Sequence, residues 1–204
     1  MRMIQSWMRG IPAFFLALGV LAVFFAGQAT AQSVKPQAQP MVKLVTNKGD
    51  IVIALDPAHA PVSVDNFLKY VKNGYYSGLI FHRVIDGFMI QGGGLNQDLR
   101  PKPGLLPPIK NEAPNGLKNT IYTVAMARTS DPDSATSQFF INVRDNPPLD
   151  HRDNSQGMGY AVFGKVVKGQ DVVDAIKKVP TGTRDGFIDV PLEPVVIERA
   201  EIVK

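Results

Sequence analysis

Between Met41 and Val203 the sequence breaks into about eight short runs of period-two alternation, and only two stretches carry a helical period. Gly, Pro, Asn and Asp punctuate the gaps. Hydrophobic residues make up 45% of the chain and charged residues 20%, enough apolar material for one packed domain and too much for a disordered chain. Many strands with few helices restrict the choice to a sandwich or a barrel, and periodicity alone does not separate the two.

Taken in order, residues 41–47 alternate as a strand. Asn47-Lys48-Gly49-Asp50 is a turn, and 51–55 is the second strand of a hairpin. Pro61 opens a helix, where its missing N–H costs nothing. Val64, Phe67, Leu68 and Val71 share one face of that helix, and Gly74 ends it. Residues 80–85 and 88–91 are expected to be strands joined at Asp86-Gly87, with Gly92-Gly93-Gly94 as the stop. Residues 93–119 hold five prolines and little periodicity, a long excursion of the kind that often carries function. Further strands are expected over 121–128, 137–143, 160–167 and 195–203. A second helix is expected over 170–179, with Val172, Val173, Ile176 and Val179 on one face. Residues 129–135 and 144–159 read as polar loops, and 180–194 as irregular.

The chemistry concentrates in the ribbon from Phe81 to Gly93. By strand alternation Phe81, Arg83 and Ile85 share one face and His82 and Val84 the other. A guanidinium among Ile, Phe and Val needs either a partner or an open face. Taken alone, such an Arg is ordinarily an edge residue with its head in water, and Phe88 and Met89 are ordinarily core. Here Phe88, Met89 and Gln91 follow across one tight turn. A fixed cation, an amide and two large apolar groups therefore come within reach of one spot.

The ribbon, together with Met126-Ala127-Arg128, Ser137-Gln138-Phe139-Phe140-Ile141-Asn142 and Tyr160-Ala161-Val162-Phe163-Gly164-Lys165-Val166, resembles the cyclophilin family of peptidyl-prolyl cis-trans isomerases, most closely its periplasmic bacterial members. The likeness runs over residues 41–203. It implies a mainly β fold, a closed eight-stranded antiparallel barrel capped by two α-helices, with the active site on an outer face. It implies that Arg83 is the hydrogen-bond donor to the prolyl nitrogen. Gln91 would hold Arg83 and touch the substrate backbone. Phe88, Met89, Phe140 and Leu149 would line the proline pocket. Ala127, Arg128 and Thr129 would pair with the peptide through their backbone, Gln138 would serve a neighbouring subsite, and His82 would play a supporting part. Tyr160 sits where eukaryotic members often carry His. Gly94 stands where an acid is usual and Arg128 where a small amide is usual. Pro148 replaces an aromatic, Trp in the cyclosporin-sensitive members, so weak inhibition by that drug is expected because Pro has no N–H to donate. The resemblance implies no cofactor and, as partners, proline-containing polypeptides.

The remaining features exclude other classes. The net charge is +4. Setting aside Arg2 and Arg9 leaves 20 basic and 18 acidic residues, too balanced for a nucleic-acid binder. Without cysteine there is no disulfide, thiol nucleophile or cysteine–zinc site. His59, His82 and His151 have no metal-ligand spacing. No Gly-x-Ser-x-Gly occurs, and no Gly-Lys-Ser/Thr follows the triple glycine. Two basic residues, an apolar run of about 16 residues over 11–26 and Ala29-Thr30-Ala31 have the layout of a secretory signal peptide. Residues 1–31 are therefore expected to be cleaved, 32–40 to be a flexible leader and 41–204 to be the working domain. That domain would be a periplasmic monomer with no stable membrane association. A non-catalytic module that holds proline-containing chains, and a structural barrel with an incidental groove, are the competing classes. Arg83 discriminates, because a pure binder could do without it.

Overall fold

The computed structural model describes residues 39–152 and 157–203. The expected signal peptide over 1–31, and all but the end of the expected leader over 32–40, lie outside the described residues. Eight strands close into an antiparallel barrel: β1 (Met41–Thr46), β2 (Gly49–Leu55), β3 (Leu79–Ile85), β4 (Met89–Asn96), β5 (Thr123–Met126), β6 (Phe139–Asn142), β7 (Val162–Lys168) and β10 (Val196–Val203). The order around the barrel is β1-β10-β3-β4-β6-β5-β7-β2. Two helices cap it, α1 (Pro61–Lys72) and α2 (Gln170–Ile176).

The barrel has no lumen. Phe67 of α1 meets Tyr76, Phe139 and Phe163 at ring-centroid distances of 5.2, 5.5 and 5.1 Å. Val64, Tyr70 and Val71 of α1 and Val173 and Ile176 of α2 join the same cluster, as the apolar stripes require. An interior filled this way leaves only the outer surface for a ligand. Pro61 stands at the start of α1, whose first amides are capped from a distance. The Glu112 carboxylate accepts from the Val62 and Ser63 N–H groups at 3.0 and 2.7 Å. That contact pins the middle of the proline-rich excursion to the barrel.

Four expectations change. Residues 180–194 are not irregular: β8 (Thr181–Arg184) and β9 (Phe187–Pro191) form a separate two-stranded sheet around Asp185-Gly186. Helix α2 stops at Ile176 and not at 179. Tighter bonds from Lys178 N–H to Ala175 and from Val179 N–H to Ile176 close it ahead of Pro180, which disfavours helix in the residue before it. Strand β4 does not stop at Gly92 but runs to Asn96. The register explains how: Leu79 faces Asn96 and Phe81 faces Gly92, so two extra residues of β4 are accommodated. Gly93, at φ +84°, supplies the backbone that this bulge needs, and a Cβ there would lie 2.9 Å from the Ser137 carbonyl oxygen.

The fourth correction concerns the ribbon itself. Phe81 faces Gly92 and Arg83 faces Gln91, so His82 is an extra residue on β3. Such a bulge breaks the alternation. Leu79, Phe81 and Val84 belong to the interior cluster, whereas Ile85 belongs to an outer one. Phe81 and Arg83 therefore do not share a face. The bulge turns Arg83 outward while keeping Phe81 in the core.

Candidate active site

Beyond the bulge the outward positions of four adjacent strands build an apolar wall. Met89 of β4, Phe140 of β6, Ala125 of β5 and Val162 of β7 are buried outside the barrel. Ile85, Phe88, Leu117, Ala127, Leu149 and Tyr160 pack around them half-buried. The alternation is regular here, since Ile90, Phe139 and Ile141 point inward. A hollow of about 140 Å³ opens on this wall. Phe88, Met89, Phe140 and Leu149 line it, and so do Arg83, Gln91, Ala127, Arg128 and Tyr160. A second hollow of about 180 Å³ adjoins it and shares Gln91, Ala127 and Arg128. Thr129 and Gln138 belong to the second hollow only. His82 lines neither, and Pro148 is exposed beside Leu149. A larger hollow of about 390 Å³ lies elsewhere, near Ala54, Thr123 and Lys165, and holds none of the expected site residues. Convergent polar groups over apolar surface, and not size, single out the first.

Among the described residues Arg83 has one ionic neighbour. Its Nε lies 3.8 Å from Asp189 Oδ2 of β9, and the two side chains are 39% and 35% exposed. A long, half-exposed contact of this kind is worth less than about 1 kcal/mol. Arg83 lines the hollow while it makes this contact. Gln91 lies opposite Arg83 in the ladder, but its NH₂ group donates to Gln138 Oε1 at 2.9 Å, and among the described residues its Oε1 accepts no hydrogen bond from Arg83. Gln138 in turn packs over Gly94, where a Cβ would come within 2.6 Å of its side chain. The glycine in place of an acid is thus what lets Gln138 lie there.

On the far side the Ala127 N–H is spent on the Gln138 carbonyl at 3.0 Å, and the Thr129 N–H on Ser134 Oγ at 2.9 Å. Among the described residues no hydrogen bond engages the Ala127 carbonyl or the Arg128 N–H, and both residues line the groove. His82 is 6% exposed, and its Nδ1 is without a partner among the described residues. Burial lowers its pKa to about 4, with the Arg83 charge adding to the effect and the Ile80 carbonyl opposing it.

One group of residues escaped the sequence reading. Asn119, Asn142 and Asn146 form a buried network behind the hollow. Asn142 Nδ2 donates to Thr123 Oγ1 at 2.9 Å and to Asn119 Oδ1 at 3.2 Å. Asn146 Nδ2 donates to Asn142 Oδ1 at 2.7 Å and to the Phe88 carbonyl at 2.9 Å. Asn119 Nδ2 donates to the Leu149 carbonyl at 3.1 Å. Two walls of the hollow are thereby tied to β6. The available signal was Asn142 itself, an amide at the end of an otherwise apolar strand. Among the described residues no cluster of His, Asp or Glu is placed to hold a metal, and no helix is long and apolar enough to cross a membrane.

The chain matches the family model for cyclophilin type peptidyl-prolyl cis-trans isomerases over residues 41–202. It is 60% identical over 163 residues to peptidyl-prolyl cis-trans isomerase cyp18 of Streptomyces antibioticus, a match covering 79% of this chain and 98% of that one. Identity to peptidyl-prolyl cis-trans isomerase A of Dickeya dadantii is 56%, over 80% of this chain and 84% of the relative. Among solved structures, a cyclophilin type isomerase of Cryptosporidium parvum, crystallised in the presence of the dipeptide Ala-Pro, superposes with a TM-score of 0.65 at 28% identity. That superposition covers 80% of this chain and 99% of the other. By sequence over nearly the whole barrel, and by the barrel itself, the chain belongs to the cyclophilin-type peptidyl-prolyl cis-trans isomerases.

Proposed function

We propose that Arg83 accelerates rotation about X-Pro bonds by donating a hydrogen bond to the prolyl nitrogen of the twisted bond. The planar imide resists rotation with a barrier near 20 kcal/mol, because the nitrogen lone pair is delocalised into the carbonyl. Twisting makes that nitrogen pyramidal and localises the lone pair. A donor aimed at it stabilises the twisted state and leaves the planar states unaided, which is catalysis without a nucleophile or a metal. A 10⁴-fold gain needs about 5.5 kcal/mol. Arg suits the task because it stays charged and holds its N–H groups in a rigid plane.

The observation that carries this reading is that Arg83 lines a hollow walled by Phe88, Met89, Phe140 and Leu149, with Arg128 on the side shared with the second hollow. The ring would sit on the wall, and the peptide would lie toward Ala127 and Gln91. Conformational exchange between the cis and trans forms of a short X-Pro peptide, followed by NMR, tests it. Arg83→Ala should lower kcat/KM by about 100-fold or more, the size of effect seen when one preorganised donor is removed, and Arg83→Lys should recover only part. An unchanged rate in Arg83→Ala overturns the mechanism. A wild-type protein that binds the peptide without accelerating exchange is a holding module and not an isomerase.

The reading extends to where the protein works. Residues 1–31 act as an export signal, and the mature chain begins at Gln32 and assists newly exported polypeptides in the periplasm as a monomer. The charge and hydropathy of the N-terminal segment support this. Mass spectrometry of the protein recovered from the periplasmic fraction of a Gram-negative host tests it.

A further inference from the structure

We infer that Arg128 selects substrates with an acidic side chain one or two residues from the proline. The inference rests on the isomerase reading and assigns a preference to the second hollow. Arg128 stands on the partition between the two hollows and lines both. Its head is held in place from three sides. Nε donates to the Gly159 carbonyl at 3.1 Å and Nη1 to the Thr129 carbonyl at 2.8 Å, and the guanidinium carbon lies 4.5 Å from the Tyr160 ring centroid. Tyr160 is itself braced by Phe140, edge-on at 5.6 Å.

None of these contacts neutralises the charge. Among the described residues no carboxylate comes within ion-pair distance of Arg128. The two acids of the adjoining loop are turned elsewhere: Asp131 Oδ1 accepts from the Asp133 N–H at 3.0 Å, and Asp133 Oδ1 from the Asn111 N–H at 2.8 Å. Among the described residues no acid lines the second hollow. Beside Ala127 its lining residues are Arg128, the hydroxyl-bearing Thr129, Ser134 and Thr136, and the amides Gln91 and Gln138. Gln138 spends its oxygen on Gln91, so its NH₂ group is what it has left for a ligand. A preorganised cation with an unspent amide donor beside it is a site for an acceptor, and a carboxylate answers both groups at once. The shared wall of Gln91, Ala127 and Arg128 keeps that carboxylate close to the proline.

The test compares kcat/KM, by exchange NMR, for short X-Pro peptides with Glu, Gln or Lys at each of the two positions before the proline and at the one after it. At one position Glu should exceed Lys by about five- to tenfold, with Gln between, and the advantage should shrink as salt is raised from 50 to 500 mM. In Arg128→Glu the order of Glu and Lys should invert at that position. The readout is a ratio within one protein, so a general loss of activity does not mimic it. Equal rates for Glu and Lys at every position overturn the preference and leave the isomerase reading standing. A preference that survives Arg128→Glu overturns its assignment to Arg128. No acceleration of any peptide overturns the isomerase reading itself.

Discussion

His82 occupies the bulge that turns Arg83 toward the hollow, at 6% exposure and with Nδ1 unpartnered among the described residues. Its charged form is disfavoured there, so its pKa falls from the ordinary 6.5 to about 4. The unfolded chain binds the proton near pH 6.5, and the folded one only near pH 4. Stability from this group is therefore complete above about pH 6.5 and declines as the pH falls toward 4, by up to about 3 kcal/mol. Urea unfolding at pH 7 and pH 4.5 should show the wild type losing about 2 kcal/mol more than His82→Gln between the two conditions. Equal losses would mean that the imidazole is not kept neutral by burial. This residue also marks where the sequence stops being legible. Arg83 and its apolar company were visible as an odd cation in a greasy ribbon. The face it occupies was not, because one inserted residue inverts the alternation without leaving any composition signal.

At the scale of elements, the hollow is a property of β4, β5 and β6, fastened by the asparagine network. Asn142 on β6 reaches Thr123 of β5 and, through Asn146, the carbonyl of Phe88 just before β4. Asn142→Leu keeps the branched shape of the side chain and removes both donors and acceptor, leaving buried partners unpaired at about 1–3 kcal/mol each. The variant should lose about 2–4 kcal/mol in urea unfolding. KM for an X-Pro peptide should rise more than kcat falls, since Phe88 and Leu149 lose their anchor and Arg83 does not. Intact stability with unchanged KM would show that the network does not hold the walls. Strands and helices with regular stripes, such as β1, β2, α1 and β10, were readable from period alone. The hairpin of β8 and β9 was not, because both strands are short and largely exposed and Asp189 adopts φ +61° within β9, so no alternation survives to be read. The run of β4 through Gly92-Gly93-Gly94 misled for the opposite reason: glycines that ordinarily end a strand here permit a bulge within one.

The molecule as a whole divides its labour between a filled barrel and attachments on its surface. Arg83, Gln91, Phe140 and Met89 stand on barrel strands whose inward neighbours are locked in an aromatic core, so the site inherits the rigidity of the global fold. The hairpin of β8 and β9 is tied to that frame mainly by Val190, packed against Ile80, Leu95 and Leu99, and by the long contact from Asp189 to Arg83. Its other strand alternates exposed and half-buried residues and adds one polar tie, from Arg184 Nη2 to the Gln97 carbonyl. A unit with so little buried apolar surface of its own should open without the barrel. Native-state hydrogen exchange should then find the β8 amides, Thr181–Arg184, exchanging about 100-fold or more faster than those of β4 and β6, in a local event insensitive to low urea. Because Asp189 leaves with the hairpin while Arg83 stays on β3, such openings should not interrupt catalysis, and peptide exchange should proceed at one rate across the urea range in which only the hairpin frays. Protection of Thr181–Arg184 equal to that of Phe139–Asn142 would instead make the hairpin part of one cooperative unit with the barrel, and would give its contact with Arg83 the permanence that an exposed 3.8 Å pair lacks.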